Sequence, residues 1–114
     1  MSPITTHVLD ISLGRPAQGV AIVLEARGLD ESWSEIGRGV TNADGRVTSL
    51  LAETAILAVG VYRLRFFTDA YFAACGTRGF YPEVSVIFRI EDPAGHYHVP
   101  LLLSPFGYST YRGS

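Results

Sequence analysis

Two of the three histidines stand close together near the end of the chain. His96 and His98 alternate with Tyr97 and Val99 in an apolar run, so a strand there would point both imidazoles to the same face. Paired imidazoles of this kind suit zinc, and they equally suit one catalytic imidazole with an inert neighbour. His96 directly follows the turn-forming run 93–95, so we expect it to be exposed to solvent.

Two residues of the first half of the chain offer matching chemistry. His7 lies in an amphipathic opening strand and supplies a further imidazole, which could bind a substrate or share a proton. Arg46 directly follows the Asp44-Gly45 turn and is predicted to begin a strand. A guanidinium held there is well aimed to stabilise a planar anion through two parallel hydrogen bonds.

The tail Tyr111-Arg112-Gly113-Ser114 brings together a phenol, a guanidinium, a hydroxyl and a terminal carboxylate. The preceding residues are rich in Tyr and Thr, so a strand is predicted to hold this tail in place. Ser114 has no Gly-x-Ser-x-Gly turn around it. We therefore expect its hydroxyl to hydrogen-bond a water or a polar substrate edge, and not to act as a nucleophile.

Composition indicates one globular domain, residues 1–114, with 47% hydrophobic and 18% charged residues. The net charge of -2 gives no electrostatic reason to expect nucleic acid or a membrane surface as a partner. No signal peptide is apparent, and the apolar run 55–62 is too short to cross a bilayer, so a cytoplasmic location is expected. The single cysteine, Cys75, cannot form an internal disulfide and is predicted to be buried.

Short segments with strand propensity recur at roughly 8–12-residue spacing, which is typical of a β-sandwich. The predicted strands are 5–12, 20–27, 32–40, 47–51, 60–68, 84–90, 96–104 and 107–112, with a break at 14–16. One helix of about two turns is predicted over 68–76. The last strand is nearly uncharged, and as an open edge it would pair with a symmetric copy, so we expect an oligomer.

Several motifs resemble those of the 5-hydroxyisourate hydrolases, the transthyretin-related enzymes of urate breakdown. They are residues 5–10 with 13–16, 41–46, 81–84, and 96–105 running into 107–114. By this resemblance His7, Arg46 and His98 fall on the family's catalytic positions, and residues 111–114 fall on its C-terminal signature. Within that signature the resemblance implies a catalytic role for Ser114 and substrate-binding roles for Tyr111, Arg112 and Gly113.

The resemblance further implies an all-β, transthyretin-like (prealbumin-like) sandwich of two four-stranded sheets with one short helix. It implies a homotetramer with active sites at the dimer–dimer interface, and hydrolysis of 5-hydroxyisourate to 2-oxo-4-hydroxy-4-carboxy-5-ureidoimidazoline without a metal or other cofactor. In that reaction His98, helped by Ser114, would deprotonate water. Arg46 would stabilise the anion, and His7 would position the substrate or return a proton.

Three other functions use the same residues differently. A transthyretin-like carrier would bind a hydrophobic ligand in an apolar channel, whereas the residues singled out here are polar. A zinc hydrolase would need His7, His96 and His98 to converge on one ion. A purely structural adhesion-type sandwich would leave the histidines and the tail unused.

Overall fold

A computed structural model describes residues 2–114 as eight strands and one short helix. The strands are β1 (Ile4–Asp10), β2 (Arg15–Pro16), β3 (Ala21–Arg27), β4 (Trp33–Val40), β5 (Gly60–Phe67), β6 (Val84–Ile90), β7 (Tyr97–Ser104) and β8 (Gly107–Thr110). The helix α1 spans Thr68–Ala74. No helix within the described residues is long and apolar enough to cross a membrane.

The strands form two four-stranded sheets, so the predicted all-β sandwich with one short helix is confirmed. Sheet I has the order β2-β1-β7-β8, and sheet II has the order β4-β3-β5-β6. Sheet II is antiparallel throughout. Sheet I contains one parallel pair, β1 with β7, at its centre. The first and last long strands of the chain are therefore direct neighbours.

The core lies between the two sheets. In β1 every second residue is buried, so Ile4, Thr6 and Val8 point inward, while Thr5 and His7 are half-buried on the opposite face. Leu24 of β3 and Phe66 of β5 face them from sheet II and are fully buried. Because strand side chains alternate, burial of one face of sheet I leaves the other face free for polar groups.

The parallel pairing of β1 with β7 sets the register of that outer face. Thr5 pairs with His98, and His7 pairs with Pro100. The two members of each pair are more than ninety positions apart in the chain, yet they are adjacent on the outer face of sheet I. Side chains from both ends of the chain that could take part in chemistry thus meet on one surface.

The strand predicted at 47–51 is wrong. Val47 and Leu50 are both buried, and this spacing of three is incompatible with the two-residue period of a strand. The segment packs across β4 at two glycines: a side chain at Gly37 would collide with the Leu50 carbonyl, and one at Gly39 would collide with Val47. It therefore covers β4 without pairing with it.

The segment at residues 15–16 and the burial of Cys75 also differ from the prediction. Arg15 and Pro16, predicted as a chain break, form the edge strand β2, where proline is tolerated because no ladder hydrogen bond is required of its nitrogen. Cys75 is exposed, not buried. It caps the end of α1, which buries Tyr71 and Phe72 instead.

Tyr71 ties the helix to sheet I. Its hydroxyl donates a hydrogen bond of 2.6 Å to the buried carboxylate of Asp10. Burial opposes ionisation of Asp10, but hydrogen bonds from Ser12, Tyr71 and the Leu13 backbone outweigh it and lower the pKa of this carboxyl. The carboxylate is consequently a structural anion that closes the end of β1.

Candidate active site

His98 of β7 and His96, the residue just before β7, both meet a hydroxyl of β1. The Nδ1 atom of His98 lies 2.8 Å from Thr5 Oγ1, and the Nε2 atom of His96 lies 3.1 Å from the same oxygen. His98 is half-buried and His96 is exposed. The prediction that both imidazoles share one face is confirmed, as is the exposure of His96.

The turn at residues 42–46 brings Arg46 to this face. The Asn42 side-chain carbonyl accepts hydrogen bonds from the backbone of Asp44 (2.9 Å) and Arg46 (3.1 Å). Gly45 adopts a φ of 76°, and any Cβ there would collide with the Val8 carbonyl of β1. Glycine therefore allows the turn to lie directly on sheet I.

Arg46 does not begin a strand, contrary to the prediction. It forms an isolated antiparallel bridge with His7 of β1, which places the two residues side by side. The Nε2 atom of His7 lies 2.8 Å from the carbonyl oxygen of Asp44. A carbonyl only accepts, so Nε2 carries the hydrogen and the neutral ring has its bare nitrogen at Nδ1.

The tail closes over the His98 ring. The Gly113 backbone donates a 2.8 Å hydrogen bond to the His98 carbonyl. A Cβ on Gly113 would lie only 2.5 Å from His98 Cδ2 and 3.4 Å from Pro100 Cγ. Glycine is needed because the backbone itself touches the imidazole, and this contact carries Ser114 to the same place.

These residues enclose a cavity of about 350 Å³, within the size range of small-molecule sites. Three of the predicted catalytic residues, Arg46, His98 and Ser114, line it. His7 stands beside Arg46 and is not itself a lining residue. The remaining lining residues are Ser2, Thr5, Thr6, Val47 and Thr48.

Thr5 was not predicted as a site residue, although it contacts both imidazoles and lines the cavity. Its only sequence signal is its place two residues before His7, which puts both side chains on one face of β1. Its contact with His98 depends on the β1–β7 register, which local sequence does not reveal.

The surroundings of His98 lower the pKa of its imidazole. Burial is the largest cause, followed by the positive charge of Arg46 and by the charges of His7 and His96 in their protonated forms. Each of these disfavours a charged ring and together they outweigh a backbone hydrogen bond with Thr5, which acts in the opposite direction. The lowered pKa favours the neutral imidazole near pH 7, the form that a general base requires.

Tyr111 and Arg112 lie apart from this cavity. Both line a second cavity of about 220 Å³, which also includes Ile87 and Arg89 of β6. The Arg112 guanidinium lies 4.6 Å from the centre of the Tyr97 ring, a cation–π contact. Of the predicted substrate-binding residues, only Gly113 touches the group of residues around His98.

Across residues 2–114, no group of three or more His, Cys, Asp or Glu side chains is arranged to hold a metal ion. The three histidines do not converge, because His7 is directed to the Asp44 carbonyl whereas His96 and His98 both contact Thr5. The donor set that a three-histidine zinc centre requires is thus not assembled by the described part of the chain.

The model of the HIUase/Transthyretin family matches residues 4–113. The chain belongs to this family. A 5-hydroxyisourate hydrolase of Rhizobium meliloti is 49% identical over 116 residues, covering 97% of this chain and 95% of that protein. The structure of Klebsiella pneumoniae 5-hydroxyisourate hydrolase is 40% identical, with a TM-score of 0.83 over 97% of this chain and 98% of that one.

Sea bream transthyretin in complex with thyroxine is also similar, at 37% identity. Its TM-score is 0.91 over 98% of this chain and 95% of that one. The family and the fold that the motifs predicted are both confirmed. Backbone similarity does not separate a thyroxine-binding protein from a hydrolase in this family, so the side chains of the cavity must distinguish them.

Proposed function

We propose that this protein hydrolyses 5-hydroxyisourate to 2-oxo-4-hydroxy-4-carboxy-5-ureidoimidazoline, a step in urate degradation toward allantoin. The observation that carries the proposal is one cavity, lined mostly by residues with polar side chains, that contains His98, Arg46 and Ser114, with His7 bridged to Arg46. Relatives named 5-hydroxyisourate hydrolase at 46–49% identity over nearly the whole chain support it. The reaction needs a base, a cation and polar groups, and it requires no cofactor.

His98 is the general base. Water adds to the ring carbonyl of the substrate and gives its proton to Nε2 of His98, because Nδ1 is already hydrogen-bonded to Thr5. The lowered pKa keeps the ring neutral and ready to accept this proton at neutral pH. Ser114 lines the cavity with His98, and its hydroxyl is available to orient the water.

Arg46 stabilises the charge that develops. Its guanidinium lines the cavity and is available to hydrogen-bond the oxyanion formed when water adds, or an enolate-like form of the bound substrate. His7 lies beside Arg46 and positions the substrate or returns a proton to the leaving nitrogen as the C–N bond breaks. Gly113 packs against the His98 ring and brings Ser114 to the cavity, while Tyr111 and Arg112 hold the tail in place.

We further propose that the protein is a homotetramer of single-domain chains in the cytoplasm. Its active sites would lie at the dimer–dimer interface. Both β6 and β8 are edge strands, and the second cavity contains residues of β6 and of the segment that follows β8. Two of its apolar side chains are exposed, Ile87 by 59% and Tyr111 by 57%. Open edges and exposed apolar groups of this kind favour pairing with a second copy.

The test follows the ultraviolet absorbance of 5-hydroxyisourate, made in place from urate by urate oxidase. Because the substrate decays on its own, rates are compared with a blank that lacks the protein and with a variant that lacks residues 112–114. Fast decay that is lost on truncation supports the hydrolase. Decay no faster than the blank, with tight binding of an aromatic hormone-like ligand, contradicts it and favours the carrier.

The roles of the two imidazoles are tested by replacing each with asparagine. We expect His98→Asn to abolish turnover and His7→Asn to leave a reduced rate. The opposite ranking would assign the base to His7.

A further inference from the structure

A single hydroxyl connects the imidazoles of His96 and His98. Thr5 Oγ1 lies 2.8 Å from His98 Nδ1 and 3.1 Å from His96 Nε2. A hydroxyl has one hydrogen, so it donates to one ring and accepts from the other. The positions of the ring protons on His96 and His98 are therefore linked through Thr5.

Two neutral arrangements satisfy both contacts. In the first, His98 Nδ1–H donates to Thr5 and the Thr5 hydroxyl donates to His96 Nε2, so His98 presents a bare Nε2. In the second, Thr5 donates to His98 and accepts from His96, so Nε2 of His98 carries a hydrogen. Only the first arrangement leaves His98 able to take a proton from water.

The Nε2 atom of His98, which would take the proton from water, has no hydrogen-bond partner within residues 2–114. The ring lines the 350 Å³ cavity. The charged and titratable groups that act on this ring are Arg46 from the facing turn, His7 from β1, and His96, which directly precedes β7. Ser114 lines the same cavity.

A proton taken up by His98 is poorly held there. The ring is half-buried and near Arg46, so its charged form is disfavoured. His96, at the far end of the link, is exposed to solvent. The path from the cavity to water is thus His98, Thr5, His96.

We propose that Thr5 and His96 are positioning residues that set the tautomer of His98 and carry its proton to solvent. This inference rests on the proposed hydrolase function. The water proton goes to His98 Nε2, the Nδ1 proton goes to Thr5 Oγ1, and the hydrogen of Thr5 goes to His96 Nε2. His96 then releases its own Nδ1 proton to solvent, so both imidazoles are neutral again and the negative charge lies on the substrate oxyanion beside Arg46. After product leaves, His96 Nδ1 takes up a proton, the transfers reverse, and His98 Nε2 gives up its hydrogen to the cavity.

The tautomer is measured without substrate. Long-range proton–nitrogen NMR of ¹⁵N-histidine-labelled protein at neutral pH distinguishes the two tautomers of His98. We expect the Nδ1–H form in the wild type and in Thr5→Ser, which keeps the hydroxyl. Thr5→Val keeps the side-chain shape without the hydroxyl and should shift His98 toward the Nε2–H form. An Nε2–H form in the wild type, or no change in Thr5→Val, would overturn the inference.

The relay is tested with His96→Gln. The amide oxygen of glutamine accepts the Thr5 hydrogen, so the His98 tautomer should persist, but the amide cannot carry a proton. We expect kcat to fall about tenfold in dilute buffer with KM within about twofold, and to recover with added imidazole. The wild-type rate should not depend on buffer concentration. A His96→Gln rate equal to the wild type and independent of buffer would contradict the relay.

The control is Thr77→Val, which removes an exposed threonine hydroxyl remote from the site and should leave rate and tautomer unchanged. Circular dichroism checks that each variant is folded. If the wild type does not turn over 5-hydroxyisourate, the proposed function fails. The NMR result still decides whether Thr5 and His96 set the His98 tautomer.

Discussion

Gly113→Ala should remove most of the activity without unfolding the protein. The new Cβ would lie 2.5 Å from Cδ2 and 3.3 Å from Cγ of the His98 ring, and 3.4 Å from Pro100 Cγ. Ordinary contact at Cδ2 requires about 3.4 Å, so ring and tail must separate by about 0.9 Å. Since a misplacement of about 1 Å in a catalytic group costs about 100-fold in rate, we expect kcat to fall about 100-fold.

The matched control is Gly107→Ala, on the strand that leads into the tail. A Cβ there would meet nothing closer than Ser104 Oγ at 3.8 Å, so it adds a methyl group without a collision. The ultraviolet assay with urate and urate oxidase measures both variants. Thermal unfolding measures stability, and the change for Gly113→Ala should stay within about 1 kcal/mol because the tail is partly exposed.

A kcat of Gly113→Ala within about twofold of the wild type would show that the contact between Gly113 and His98 does not control the position of the imidazole. The prediction is also contradicted if Gly107→Ala loses as much activity as Gly113→Ala. In that case the strand as a whole, and not the approach of the backbone to His98, would be sensitive to an added methyl group.

Three further changes have expected outcomes. Arg46→Met removes a positive charge that lowers the pKa of His98, so an NMR titration should show this pKa rising. The folded state lowers the pKa of His98 below 6.5, so the unfolded chain binds more protons there as the pH drops through 6.5. The free energy of unfolding of the wild type should therefore fall over this pH range, and that of Arg46→Met should fall less. Tyr71→Phe removes a hydrogen bond to the Asp10 carboxylate and should cost about 1.5–3 kcal/mol in urea unfolding, whereas loss of less than about 0.5 kcal/mol would contradict the structural role of this anion. Gly45→Ala combines an unfavourable φ with a collision at β1 and should cost at least about 1–3 kcal/mol; unchanged stability would show that the turn does not rest on the strand.

Local patterns predicted most of the strands and the shared face of His96 and His98. The alternation at 84–90 gave β6 its observed bounds, because a strand with one buried face has a strict two-residue period. The same period placed the imidazoles of His96 and His98 on one face, and both contact Thr5. The family motifs predicted Arg46, His98 and Ser114, which line one cavity, and also Tyr111 and Arg112, which line another.

Pairing and packing between distant segments could not be predicted from local sequence. Nothing near His98 indicates that β1 is its parallel neighbour, so the role of Thr5 was missed. The turn before Arg46 was predicted from Asp-Gly, but its contact with β1 depends on how Gly45 meets Val8. The false strand at 47–51 has strand-like composition, and its packing over the glycines of β4 prevents regular pairing.

The division of the two sheets along the chain has a consequence for synthesis on the ribosome. Sheet II uses the continuous series β3, β4, β5 and β6, whereas sheet I takes β1 and β2 from the beginning and β7 and β8 from the end. The nascent chain can complete sheet II before β7, the central partner of β1, has been synthesised. Until then β1 is not part of a complete sheet, and its apolar side is incompletely covered. Assembly of the cavity is then the last folding event, and the interval before β7 emerges is when the protein most needs protection from aggregation.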